Sequence, residues 1–111
     1  MNKKYEVIWA SAAENDLAGI IEYLAADSPA NALKVLDKLK EKAVNLHHSP
    51  KRGRIIPELQ EYGIYQYREI IAAPWRLMYR VQEDKVYVLA VLDSRQNIED
   101  ILLKRVLDAK L

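Results

Sequence analysis

Between Lys51 and Arg80 the chain carries six basic side chains, Lys51, Arg52, Arg54, Arg68, Arg76 and Arg80, against only three acids, Glu58, Glu61 and Glu69. Arginine in such a cluster suits phosphate, because its planar fork donates two parallel hydrogen bonds. The excess is local. The whole chain of 111 residues has 17 basic and 16 acidic side chains and a net charge of +1, so no global basic field argues for nucleic-acid binding. The plainer reading is a set of solvated charges: Arg76 and Arg80 alternating on an exposed sheet face beside glutamates, and Lys51-Arg52-Gly53-Arg54 as a polar loop. The only histidines, His47 and His48, fall at a predicted helix end, where positive charge favours the helix dipole. Trp9, Trp75 and Tyr79 read as core rather than as base-stacking platforms.

There is no cysteine, which excludes disulfides and thiolate metal sites. No metal or cofactor is expected. Half the residues are hydrophobic, and the length fits one domain spanning 1–111. The start of the chain leads into an alternating strand rather than a long apolar run, so neither a secretory signal nor a membrane span is expected. The expected setting is cytoplasmic.

The elements that must position these residues follow from periodicity. Lys4 to Trp9 alternates as a short strand. Ser11-Ala12-Ala13-Glu14 has the form of a capping box. Leu17, Ile20, Ile21 and Leu24 then give one helical stripe ending near Asp27. Ser28-Pro29 restarts a helix, with serine as cap and proline at the first position. Ala32, Leu36, Leu39, Ala43 and Leu46 make its packing face, so the two helices form an antiparallel hairpin. Residues 51–64 read as loop, with Gly53, Pro57 and Gly63 as breakers. Strands are expected at Tyr65–Ile71, Trp75–Gln82 and Val86–Leu92, the last apolar enough to be covered on both faces. Asn97 caps a final helix with a wide band of Ile98, Ile101, Leu102 and Val106. This band packs on the sheet or meets a partner. The predicted order is β-α-α-β-β-β-α, an α+β fold: an antiparallel sheet of about four strands, the helical hairpin on one face, and a C-terminal helix.

Pairing Ile71 with Trp75 across Ala72-Ala73-Pro74 sets Ile70 against Arg76 and Arg68 against Met78. That register places Arg68 and Arg76 on one uncovered face. It also puts Glu69 on the core face, an anomaly that marks either a frayed strand or a wrong register.

Four segments in this order resemble the RelE/ParE toxin superfamily: Gly53-Arg54-Ile55-Ile56-Pro57-Glu58-Leu59, Tyr67-Arg68-Glu69-Ile70-Ile71, Trp75-Arg76-Leu77-Met78-Tyr79-Arg80-Val81, and Val88 to Arg95. The resemblance implies the toxin of a type II toxin–antitoxin module, held in a hetero-oligomer by a cognate antitoxin protein. One branch of that superfamily cleaves mRNA on the ribosome without metal. The ParE-like branch poisons DNA gyrase. For cleavage, the resemblance makes Arg68 and Arg76 the cations that meet the charge growing on phosphorus. It assigns Lys51, Arg52, Arg54, Arg80 and Arg95 to contact with RNA or another target. Nuclease members also place Tyr or His after the last strand, where this chain has Leu92-Asp93-Ser94-Arg95-Gln96-Asn97. That departure favours gyrase as target over ribosome and mRNA. A third reading is a protein that binds antitoxin without toxicity. If the chain cuts RNA, Arg76→Ala is expected to abolish cutting.

Overall fold

The computed structural model describes residues 4–108; the last residues of the apolar C-terminal stretch, 109–111, lie outside the described residues. Strand β1 (Glu6–Trp9) leads into helix α1 (Ser11–Asp27) and helix α2 (Pro29–Val44), which ends in a 3₁₀ turn, Asn45–His47. A two-residue strand β2 (Arg54–Ile55) and a short helix α3 (Pro57–Gln60) follow. Three long strands, β3 (Tyr67–Ala72), β4 (Trp75–Gln82) and β5 (Lys85–Asp93), precede helix α4 (Ile98–Asp108).

The sheet order is β1-β5-β4-β3-β2. The expected meander is present, but among the described residues the sheet has five strands. It is mixed, since β1 lies parallel to β5 while every other pair is antiparallel. A crossover of two helices between β1 and the meander allows the parallel pairing, which a hairpin does not. The segment expected to be loop contributes β2 and α3. Ile56 and Leu59 there are buried, and Gly63, at φ 75°, closes α3 with Ile64 N–H bonding Leu59 C=O at 3.1 Å.

Two apolar clusters hold the sheet between its layers. The hairpin face joins Ala13, Leu17, Leu39, Ala43 and Leu46 to Ile70, Leu77, Tyr79, Val86, Val88 and Val91. The opposite face joins Ile56, Leu59, Tyr67, Met78, Ala90 and Leu92 to Ile98 and Leu102 of α4. The C-terminal helix therefore packs within the chain. A bulge at Leu89, where Met78 faces Ala90 but Tyr79 faces Val88, lets Val88 and Val91 both reach the hairpin face.

Three local expectations meet different outcomes. Ser28 caps α2 as read, its hydroxyl accepting from Asn31 N–H at 3.2 Å. The capping box at Ser11 does not form: Ala10 is the cap, and the helix begins at Ser11 itself. Entry from β1, where Ala10 N–H bonds Val88 C=O at 2.9 Å, fixes that start.

The register of β3 on β4 is one residue from the expected one. Ala72 faces Trp75 across a two-residue Ala73-Pro74 turn with a cis peptide bond, so Ile71 faces Arg76 and Arg68 faces Tyr79. The β4–β5 turn places Glu83 at φ 56°. A Cβ is disfavoured there, so Glu83→Gly should raise stability by about 0.5–1 kcal/mol, measured by denaturant melting.

Candidate functional site

The one-residue shift in register decides where the arginines go. A slip of one moves every side chain of a strand to the other face. Arg68 lies on the hairpin face with Tyr79 and Ile70, while Arg76 lies on the α4 face with Glu69 and Met78. The shared active surface expected of Arg68 and Arg76 does not exist in this fold.

Arg76 is buried, 7% exposed, and fully engaged. Its Nη1 and Nη2 grip both oxygens of Glu58 at 2.7 Å, and its Nε donates to Glu69 Oε1 at 2.7 Å. The other oxygen of Glu69, itself 1% exposed, accepts from Arg54 Nε at 2.6 Å. Two arginines and two carboxylates thus cancel in a row that fastens β2 and α3 to β3 and β4. The bond to Glu58 dominates in raising the Arg76 pKa above its ordinary value, against the desolvation that lowers it. Glu58 is held below the ordinary carboxylate range first by the same hydrogen bond. Glu69, the misfit of the sequence reading, is the hinge of this network.

Arg68 points the other way. Its Nη1 donates to Gly53 C=O at 2.8 Å and reaches Lys51 C=O at 3.5 Å. Gly53 N–H donates to the buried Tyr79 hydroxyl at 3.0 Å. The loop carrying Lys51 and Arg52 is thereby tied to the middle of β4. Burial raises the Tyr79 pKa, opposed by the Gly53 hydrogen bond and by the charges of Arg68 and Arg52.

The remaining candidates lie apart. Arg80 faces Tyr67 across the strands and its Nη2 bonds the Gln82 side chain. Arg95, beyond the end of β5, is exposed and holds Asp93 with both Nε and Nη2, at 2.9 and 2.5 Å. That pairing, with the Arg95 N–H, brings the Asp93 pKa down to about 2, so this carboxylate is ionised and only a weak base at neutral pH. His47 and His48 stack edge to face at the end of α2. His47 Nδ1 lies 2.8 Å from Val44 C=O, and His48 Nδ1 lies within hydrogen-bond distance of the His47 ring. Among the described residues no group of His, Asp and Glu is arranged to hold a metal ion, and no helix is long and apolar enough to cross a membrane.

Asp16 is a residue that periodicity did not single out. Its carboxylate accepts from Arg105 at 2.5 and 2.8 Å and from Val91 N–H at 3.0 Å, joining α1, β5 and α4. Only a three-dimensional contact 89 residues apart reveals it. Asp16→Ala should lower stability by about 1.5–2 kcal/mol, because a charge and a backbone donor both lose their acceptor. Hydrogen exchange should show α4 amides deprotected before those of β4.

The layout is a helical hairpin on one face of a mixed sheet, with helix α3 and the C-terminal helix on the other. Solved structures share it at low identity. The chromosomal ParDE system of Pseudomonas aeruginosa superposes with a TM-score of 0.65 at 20% identity, over 81% of this chain and 96% of that one. The toxin–antitoxin complex RelBE2 of Mycobacterium tuberculosis gives 0.60 at 23% identity, over 82% and 92%. A mutant of the E. coli toxin RelE in the free state gives 0.63 at 19% identity, over 93% and 98%. No curated protein sequence matches. The family model described as ParE toxin of type II toxin-antitoxin system, parDE, matches residues 7–98, and this chain belongs to that family. It is a toxin of the type II toxin–antitoxin class, and such a toxin has a cognate antitoxin as partner.

Proposed function

We propose that this toxin arrests growth by acting on DNA gyrase and that it does not cut RNA. The observation that carries this reading is the state of Arg76. Phosphoryl cleavage needs cations free to meet the charge that develops on phosphorus. Arg76 instead has its guanidinium closed between Glu58 and Glu69, and Arg68 is on the far side of the sheet. An acid–base partner is lacking at the expected position as well. Asp93 is locked as an anion by Arg95, and neither Tyr nor His follows β5 before α4. The family match to ParE toxins supports the same choice. The antitoxin then silences the chain as part of a cytoplasmic complex.

Expression of the toxin without antitoxin tests this directly. The expected result is growth arrest with filamentation and an SOS response, while mRNA stays intact. Purified toxin added to gyrase and supercoiled plasmid should accumulate linear DNA. Ribosome-dependent cuts in mRNA would instead establish the endonuclease reading, and normal growth would leave only antitoxin binding.

A further inference from the structure

Strand β1 forms one edge of the sheet, and β5 alone pairs with it among the described residues. Its inward bonds are fixed: Glu6 N–H donates to Asp84 C=O at 3.0 Å and Ala10 N–H to Val88 C=O at 2.9 Å. Backbone groups alternate in direction along a strand, so Val7 and Trp9 turn their N–H and C=O groups outward. Among the described residues nothing bonds these four groups. Tyr5 is the neighbouring outward residue, and its N–H is already held by His47 C=O at 2.6 Å. An unpaired edge is a template for another strand, and proteins guard it with shortness, charge or proline. The far edge is guarded in that way, since β2 has two residues and carries Arg54. In β1 the outer stretch is Val7-Ile8-Trp9, without charge or proline.

The space beside this edge is open and apolar. A groove of about 1010 Å³ is lined by Val7, Ile8 and Trp9 of β1 and by Ile21, Leu36 and Val44 of the hairpin. Val44 is exposed although apolar. Acids border the groove from α1, Glu14 and Glu22, and a base from α2, Lys40, so the surface offers both signs of charge to a copy of itself. The net charge of +1 sets up little repulsion between two copies.

We propose that a second copy of this chain pairs with this edge, its β1 antiparallel to the first about a two-fold axis at Ile8. That register sets Val7 of each copy against Trp9 of the other. The four outward groups of each copy then meet their complements, giving about four N–H···O=C bonds across the axis. Centring the pair on Val7 instead would require the Tyr5 N–H, which is taken. Val7 and Trp9 both pack on the hairpin side, so each contact across the axis joins a β-branched side chain to an aromatic ring. The same patch serves both copies, as a two-fold interface demands. The pairing is independent of whether gyrase is the target.

Sedimentation velocity of the full-length toxin over a roughly 100-fold range of concentration reads the oligomeric state, because a dimer follows mass action. The expected result is a weight-average mass that rises from one chain toward two. Val7→Pro removes an outward N–H and leaves the bonds to β5 in place. It should melt as the parent does and dimerise at least ~10-fold more weakly, since each copy loses a donor at the axis. A covalent probe reads the register without relying on that variant. The chain has no cysteine, so Ile8→Cys introduces a single thiol. Facing residues of a non-hydrogen-bonded pair have Cα atoms about 4.5 Å apart, within disulfide reach. Leu33 is exposed on α2 and lies outside the groove. Under mild oxidation Ile8→Cys should form a linked dimer at least ~10-fold faster than Leu33→Cys, because pairing raises the local thiol concentration. A single-chain mass at every concentration would overturn the proposal. So would a folded Val7→Pro toxin that dimerises like the parent, or equal cross-linking at positions 8 and 33. A toxin that stays monomeric alone, while Val7→Pro weakens capture of the antitoxin, would also overturn it and assign the edge to an added antitoxin strand.

Discussion

Arg76→Ala should cost about 3–5 kcal/mol of stability, a large part of what a domain of this size has. The reason is the charge left behind rather than the bond removed. Glu69 is fully sequestered by the sheet, with its side chain inaccessible to water, and it shares its two oxygens between Arg54 and Arg76. Without Arg76 it keeps one exposed partner, and Glu58 loses both of its hydrogen bonds to the Arg76 guanidinium. Urea denaturation should read the loss as a lower midpoint, with α3 and β2 the first elements released. Arg76→Met/Glu69→Leu should recover much of that loss, because a buried pair can be exchanged for apolar side chains of similar volume. Growth inhibition lost in Arg76→Ala would therefore report on folding, and the single variant is a poor probe of catalysis. The pH dependence has a definite sign. Glu58 titrates below its ordinary 4.5, so its contribution is present above that pH and is lost as pH falls through the depressed value. Arg76 stays charged throughout.

Gly53→Ala is expected to cost about 2–4 kcal/mol, from overpacking plus the loss of a buried hydrogen bond. A Cβ on Gly53 would sit 2.5 Å from Glu69 C=O and 2.6 Å from the Tyr79 hydroxyl. Neither can withdraw. The carbonyl belongs to the sheet ladder, and Tyr79 is enclosed by the hairpin core. The loop must lift, parting Gly53 N–H from Tyr79 and Gly53 C=O from Arg68. Gly63→Ala meets no nearby atom, yet it too is disfavoured, because Gly63 has a positive φ. Gly19→Ala is the clean control. Gly19 lies mid-helix with open space around it, and the variant should stabilise by about 0.5–1 kcal/mol. Thermal melting of Gly53→Ala beside Gly19→Ala separates steric exclusion from generic glycine replacement.

What could be read from the residues followed how local the cause was. The two hairpin helices, the Ser28 cap and the inward face of β4 were legible, since each depends on neighbours within one turn or one strand. The apolar run of β5 correctly announced a strand covered on both faces. The register of β3 was not legible. It depends on how many residues the Ala72-Ala73-Pro74 segment gives to the turn, and a difference of one residue reverses every face. That single step moved Arg68 and Arg76 to opposite sides. Glu69 carried the warning, because a carboxylate on a core face needs a buried cation. With the register corrected, Arg76 is the cation that Glu69 requires. The parallel placement of β1 and the Asp16 contact to Arg105 come from packing between distant segments, which no short-range pattern encodes. Among the candidate residues, Arg54, Arg76 and Arg95 have carboxylate partners within the fold. Among the described residues, Lys51, Arg52 and Arg68 have none.

The most direct test of Arg76 as a structural rather than a reacting group is growth inhibition by the Arg76→Met/Glu69→Leu toxin, expressed without antitoxin at a level matched to the parent. The expected result is a folded protein, shown by its melting curve, that arrests growth as the parent does. A variant that folds as stably as the parent yet permits normal growth would contradict it, returning Arg76 to the chemistry.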